Sequence, residues 1–442
     1  MKKFLLILLL VVIAIAGIFG FLFYQTIDEK SYQQQIVSSA QQLLGRQLQV
    51  NGQLSIKLFP SPVITLTDVS ILNPQEFKNK NLIHVEKVEA DVQFSSLFKN
   101  PLVIQNITLV KPHIFLEKNE QGKINWDFAF LRPDVRKVSQ DNLLGQKVND
   151  VPPQFQNMDI KEGQLTYLNQ PLQTNIFLTD ITGQLKADTI KGPFDFKGQV
   201  KIDQMPVQTI LHIDTLGADV ETKFSVSLSA PNSKATLSVQ SASIIRLAEP
   251  TQEISGSFAM TVPSLSSFLN DVKGYKDLPL EMDKQITGGG RFLFSSKQTV
   301  FDELAFVYGD VNSDIATSGK ISVDYPASEK DRKKTSVVLR FSQLNLDLLS
   351  PYMPKKSPAE GLFTVLPQRL PDNLEFWVSS EKLTLLNGQL SKIDLKGRYR
   401  DNVMNIFEFS TFLPENVELT AKGDIDTKEK NAKIRPYYIT LY

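Results

Sequence analysis

Chemistry in this chain would have to come from histidines, carboxylates or glycine-rich turns, because it contains no cysteine. That removes zinc-thiolate, iron–sulfur and cysteine-nucleophile sites together. The three histidines, His84, His113 and His212, fall on separate predicted strands, without the helical or short spacing that gathers imidazoles onto one metal ion. Gly288-Gly289-Gly290 is followed by Arg291-Phe292 and not by the Lys-Ser/Thr of a phosphate loop, so it reads as a strand kink or bulge. No Gly-x-Ser-x-Gly elbow occurs, and no pair of carboxylates stands out from those that any polar strand face carries. Asn106-Ile107-Thr108 is formally a glycosylation acceptor and reads as plain strand residues. The expectation is a protein that is not an enzyme, with no catalytic residue, no metal and no cofactor.

The elements of the chain explain that emptiness by pointing elsewhere. Residues 4–23 carry no charge, and at ~1.5 Å rise per residue they span roughly the 30 Å hydrocarbon core of a bilayer. Ala14-Ile15-Ala16 has the small-x-small look of a cleavage site, but the apolar run continues through Ile18, Phe19, Phe21 and Leu22, longer than a signal-peptide core. An uncleaved anchor is expected over residues 1–24. Lys2 and Lys3 precede it and Asp28 and Glu29 follow, so the positive-inside rule leaves the N-terminus cytoplasmic and the bulk of the chain across the membrane. Lys plus Arg equals Asp plus Glu at 48 each, which leaves no basic field to draw nucleic acid.

Beyond the anchor a period of two dominates. Phe224, Val226 and Leu228 alternate with Ser225, Ser227 and Ser229; Ile254, Gly256, Phe258, Met260 and Val262 alternate with Ser255, Ser257, Ala259 and Thr261. Val417, Leu419, Ala421 and Ile425 share a face opposite Glu418, Thr420, Lys422, Asp424 and Asp426. Such alternation describes antiparallel strands wet on one side, since doubly covered parallel strands read as continuous apolar runs. The expected fold is mainly β: one N-terminal transmembrane helix, then an extended antiparallel curved sheet, groove or sandwich, with a few short helices.

Helical stripes occur at Ile36, Val37, Ala40, Leu43 and Leu44, closed by Gly45, and from Ser264, an N-cap, through Leu265, Phe268, Leu269 and Val272 to Gly274. A third, shorter one lies near residues 347–352. Asn51-Gly52 and Asn387-Gly388 read as hairpin turns, with further glycine breaks at Glu162-Gly163 and Thr182-Gly183. Pro60 and Pro62 place a turn or edge crossing at residues 59–62, because proline cannot sit in a central strand. Residues 132–157 lose all period around Val151-Pro152-Pro153 and form a loop or linker. That divides the chain into a β region over 25–131, led by the amphipathic helix, and a β-rich body over 158–442. The charged stretch 329–334 reads as a solvated hairpin tip.

One stretch is more than generic. Gly45-Arg46 after a helix, then Val50, Gly52, Leu54, Ile56, Leu58, Pro60, Pro62, Asp68, Val69, Asn73 and Pro74, resembles the opening of the AsmA family. Val88, Val92, Leu97, Ile104, Ile107, Leu109, Pro112 and Gly122 leading to Asn125-Trp126 continue the likeness, and looser pieces follow as far as residue 426. From the residues alone, Asn125-Trp126 reads as a buried indole anchoring a strand end. The resemblance implies an inner-membrane protein of a diderm bacterium with a β-rich periplasmic body, distantly similar to chorein-type bridge-like lipid transfer proteins, whose sheet bends into a trough with an apolar concave face.

On that footing the expected function is to bind and conduct phospholipid or a related glycerolipid through an apolar β-groove, in support of outer-membrane biogenesis and envelope integrity. The groove candidates are Phe224, Val226, Leu228, Ile254, Phe258, Met260, Val262, Val417, Leu419 and Ile425. The phenylalanines, 28 in all and including Phe292, Phe294, Phe407 and Phe409, favour a trough over an interdigitated sandwich. The alternative is a tethered scaffold that modulates outer-membrane protein assembly through protein contacts. Expected partners are membrane phospholipid, the inner membrane and an envelope protein at the aromatic, strand-like C-terminal end, residues 437–442.

Overall fold

The computed structural model of the chain describes residues 44–93, 104–128, 157–171, 174–189, 191–203, 205–216, 222–241, 253–273, 283–295, 297–309, 315–325, 333–347, 373–385, 387–426 and 433–441, with 33–34, 37–38, 41 and 371. The expected anchor and nearly all of the expected 132–157 linker lie outside these residues, as does most of the third helix. Among the described residues no helix is long and apolar enough to cross a membrane. Chain contacts divide the protein into two compact units, Met1–Gly192 and Pro193–Tyr442.

The described residues of the first unit form a sheet of seven strands: β1 (Leu48–Val50), β2 (Leu54–Lys57), β3 (Val63–Leu72), β4 (Asn81–Val92), β5 (Ile104–Lys118), β6 (Asn157–Asn169) and β7 (Thr174–Ala187). β1 and β2 both pair with β3, as two halves of one edge. Asn51-Gly52 is therefore not a hairpin but a break in that edge. Gly52 is needed there because a Cβ would sit 2.2 Å from Thr67 Oγ1. The Pro60–Pro62 turn falls between β2 and β3, as the prolines require. Ladders β3–β4, β4–β5 and β6–β7 are antiparallel, while β5–β6 is parallel. Leu48, Leu54, Leu66 and Val69 form the core, with Val37 of the leading helical segment packed on them. Gly45 ends that segment at φ 63°, its N–H donating to Gln41 O at 2.8 Å.

Charged residues in left-handed conformation cross this sheet from strand to strand: Asp68 (φ 50°), Lys111 (φ 49°), Glu162 (φ 54°) and Asp180 (φ 47°). They keep two successive side chains on the wet face, so Leu66 and Val69, or Leu109 and Pro112, stay on the apolar one. Such irregularities bend strands without ending them. Glu162-Gly163 and Thr182-Gly183 lie inside β6 and β7 and are not breaks.

The second unit comprises β8 (Phe194–Ile202), β9 (Met205–Ile213), β10 (Phe224–Ser229), β11 (Thr236–Ser241), β12 (Ile254–Val262), β13 (Ile286–Phe294), β14 (Gln298–Tyr308), β15 (Ile315–Asp324), β16 (Lys334–Phe341), β17 (Leu344–Asn345), β18 (Asn373–Leu385), β19 (Gly388–Arg400), β20 (Val403–Phe412), β21 (Glu418–Asp426) and β22 (Lys433–Leu441). Each strand pairs with the next as an antiparallel meander, except that β16 and β17 both run parallel to β18. The expectation of antiparallel strands thus holds apart from one parallel step in each unit. The glycine run kinks β13 as expected, with a register shift between Gly289 and Arg291. Helix α1 (Leu265–Lys273) follows Ser264, whose Oγ accepts the Ser267 N–H at 3.1 Å. Asp283 caps the same end, accepting from Ser266 N at 3.0 Å and Ser264 Oγ at 2.8 Å.

Candidate functional site

Cross-strand register decides which apolar residues meet. Val226 lies beside Val239, which lies beside Phe258, and Leu228 joins Leu237 and Met260 in the same way. A longer row runs Ile254, Phe294, Thr299, Val323, Thr335, Leu374, Tyr399, Met404, Ile425, each paired with the next. Its neighbour runs Gly256, Phe292, Phe301, Ile321, Val337, Phe376, Gly397, Ile406, Gly423 through the same ladders. At ~4.8 Å between strands these rows extend roughly 40 Å. They carry no carboxylate, amine, guanidinium or imidazole.

The candidate residues distribute on this face unevenly. Phe224, Val226, Leu228, Ile254, Phe258, Met260, Leu419 and Ile425 are on it and half-buried. Val262 is on it but only 2% exposed, because Phe268 of α1 and Ile286 cover it. Val417 is a correction: it sits outside β21, capping the 3₁₀ turn Pro414–Asn416, with its carbonyl accepting the Leu413 N–H at 2.9 Å. Phe407 is another, standing at a bulge between Ile406 and Phe409 with the Arg398 guanidinium 5.8 Å from its ring. Half-exposure matters here, since a facing sheet would remove such side chains from water altogether.

Sequence reasoning left out Phe301, Phe306, Ile321, Val337 and Phe376, although β14 to β18 show similar alternation. A bulge explains the omission in β14, where Asp302 and Glu303 (φ 49°) stand together between Phe301 and Leu304 and break the period. Around it gathers an aromatic patch. Phe258 meets Phe301 edge-on at 6.2 Å, Phe294 meets Phe301 edge-on at 5.6 Å, and Phe292 and Phe294 lie 5.2 Å apart. Such offset and edge-to-face pairs are favourable beyond the area they bury.

The opposite face is tied by charge. Glu375 bridges Lys334 at 2.9 Å and Arg398 at 2.6 Å, spanning the parallel step, and both cations hold its carboxyl below its ordinary value, Lys334 first. Trp377 donates its indole N–H to Asp394 at 2.9 Å under Lys396 and Arg340. His212 stands between Asp195 at 2.7 Å and Asp214 at 3.1 Å, and those hydrogen bonds raise its pKa. His84 and His113, remote in sequence, are neighbours across β4 and β5. Burial first and the charge of His84 second push His113 down. His84 Nδ1 is 3.0 Å from Ser70 Oγ, and His113 Nε2 is 3.0 Å from Thr166 Oγ1. Among the described residues no three metal-ligating side chains converge.

A buried polar box forms in the first unit. Asn125, fully buried, accepts the Glu117 N–H at 2.9 Å and donates to Asn73 Oδ1 at 3.1 Å and Phe115 O at 2.7 Å. The buried Glu117 carboxyl accepts the Lys78 N–H at 3.0 Å and the Gln170 side-chain amide. Asn73 secures its own loop through Asn79 O and Asn81 O, and Arg46 donates to the carbonyls of Asn125 and Asp127. Gly45-Arg46, Asn73 and Asn125, dispersed along the sequence, thus serve one structural purpose. The AsmA family description matches residues 1–287.

The chain belongs to the AsmA family. No curated protein matches it. For this AsmA protein the box gives the signature residues a physical reason, since buried polar groups must find partners. In Asn125-Trp126 the asparagine is the buried anchor, while Trp126 is half-buried 6.1 Å from Tyr167. The AsmA match ends inside β13, yet the apolar rows continue unbroken to β21.

Proposed function

We propose that this AsmA protein is anchored in the inner membrane by its N-terminal segment and carries phospholipid or a related glycerolipid along the apolar face of its periplasmic body, without catalysing a reaction. The observation that carries this reading is the pair of charge-free rows from β12 to β21, most of whose side chains keep part of their surface in water while Phe292, Leu374 and Tyr399 are buried. Family membership supports an envelope role. Exposing two sixteen-carbon acyl chains to water costs on the order of 20 kcal/mol at ~0.8 kcal/mol per methylene. A continuous apolar surface lowers that barrier, and with no fixed polar contact along it a chain can slide. Service to the outer membrane and an envelope partner at the C-terminal end belong to the same proposal. The scaffold reading is disfavoured because a protein-packing core would bury these rows throughout, whereas their side chains other than Phe292, Leu374 and Tyr399 keep contact with water.

Native mass spectrometry of the full chain, after incubation with phosphatidylethanolamine and phosphatidylglycerol vesicles, tests it. Wild type is expected to carry lipid, Val226→Asp with Phe258→Asp to lose at least about tenfold, and Ser227→Asp on the wet face to match wild type. A folded wild-type chain that takes up none would move the assignment to the scaffold.

A further inference from the structure

Within the rows, contact area is not evenly spread. From β15 onward many positions are aliphatic or small, such as Ile321, Val323, Val337 and Leu339, whereas β12 to β14 place Phe258, Phe292, Phe294, Phe301 and Phe306 on one face. Several of these rings are fixed by their neighbours. Phe292 lies against Gly256, where a Cβ would come within 2.6 Å of its ring, and Phe306 lies against Gly288, where the distance would be 2.4 Å. Phe301 is held by edge-on contacts to Phe258 and Phe294. Phe294 is nevertheless 40% exposed. Toward the Val262 end of β12, Phe268 of α1 and Met260 both pack on the buried cluster of Ala230, Ala235 and Val262.

Resting on the lipid-carrying reading above, we propose that this patch is the principal seat of a bound lipid, where one acyl chain lies across β12 to β14 against Phe258, Phe294 and Phe301. Rigid aromatic surface gives more contact per residue than valine or isoleucine and loses little rotamer freedom when covered. A chain moving along the rows therefore dwells there. No side chain of the seat is charged, so the seat reads the hydrocarbon and leaves the headgroup in solvent.

Photocrosslinking locates the seat. The full chain carrying p-benzoylphenylalanine in place of Phe294, Val323 or Ser322 is loaded from equimolar phosphatidylethanolamine and phosphatidylglycerol vesicles, irradiated and weighed. Lipid adducts at position 294 are expected to exceed those at 323 at least about threefold, with almost none at 322. Their headgroup ratio should stay within about twofold of the vesicles'. Phe294→Ala and Phe301→Leu, checked for wild-type circular dichroism, are expected to lower retained lipid by about fivefold, the equivalent of some 40 Å² of lost apolar contact. Adducts equal along the row, a tenfold headgroup preference, adducts with a second chain or a peptide at 294, or unchanged loading in both variants would each overturn the seat while lipid loading itself leaves the carrier reading standing. Failure of the wild type to load any lipid overturns both.

Discussion

Glu117 and Asn125 hold each other twice: the Asn125 N–H donates to the Glu117 carbonyl at 3.1 Å, and the Glu117 N–H donates to Asn125 Oδ1 at 2.9 Å. Both residues are 0% exposed, so removing either side chain strands its partners away from water. Asn125→Ala is expected to destabilise the chain by about 3 kcal/mol, since a buried donor or acceptor left without a partner costs ~1–3 kcal/mol. Urea unfolding followed by Trp126 fluorescence, in a Trp377→Phe background, measures it. A change below about 0.5 kcal/mol contradicts the box as a fastening.

Glu117→Gln probes the same box more finely. It keeps the shape but turns a donor toward the Lys78 N–H and the Gln170 amide, which both donate at this point. A loss of about 1–2 kcal/mol in the same assay is the expected outcome. Equal stability of the two proteins would show that Glu117 is replaceable by any polar side chain of its size.

His212 and His113 are shifted in opposite directions. His212 has a raised pKa, so its ion pairs stabilise the fold fully below the ordinary value of about 6.5, and that contribution fades as pH rises through the higher folded value. Its exposure keeps the effect small. His113 has a lowered pKa, so the unfolded chain takes up the proton first and stability falls as pH drops below about 6.5 toward the folded value. Imidazole NMR titration should place the His212 midpoint above and the His113 midpoint below that of an exposed histidine. His84→Gln should bring the His113 midpoint partly back up.

At the start of α1, Ser264 and Asp283 satisfy amides that the helix cannot satisfy itself. Ser264→Ala is expected to cost about 1 kcal/mol by thermal or urea unfolding. Asp283 titrates below its ordinary value, the Ser266 N–H being the first cause, so its contribution persists above that ordinary value and is lost as pH falls through the folded one. Unfolding curves of Asp283→Asn and wild type should converge on acidification.

Alternation, the αL glycine at 45 and the serine cap at 264 were legible because each is a local matter of backbone and neighbouring side chains. Phe224, Val226 and Leu228, or Ile254, Phe258 and Met260, could be assigned to one face of their own strand from period two alone. Which faces joined depended on partners far along the chain. Register places Ile254 and Ile425 at the two ends of a single row, two parallel steps among the described strands join segments whose alternation alone predicts antiparallel neighbours, and bulges at Glu303 and Phe407 reset the period where two successive residues turn outward. Exposure depended on the same partners, covering Val262 with α1 and leaving Phe294 open. Glu117 was invisible for that reason: a carboxylate in an amphipathic strand looks like any wet-face residue until tertiary packing closes over it, whereas side-chain alternation is written into every strand by geometry that needs no partner.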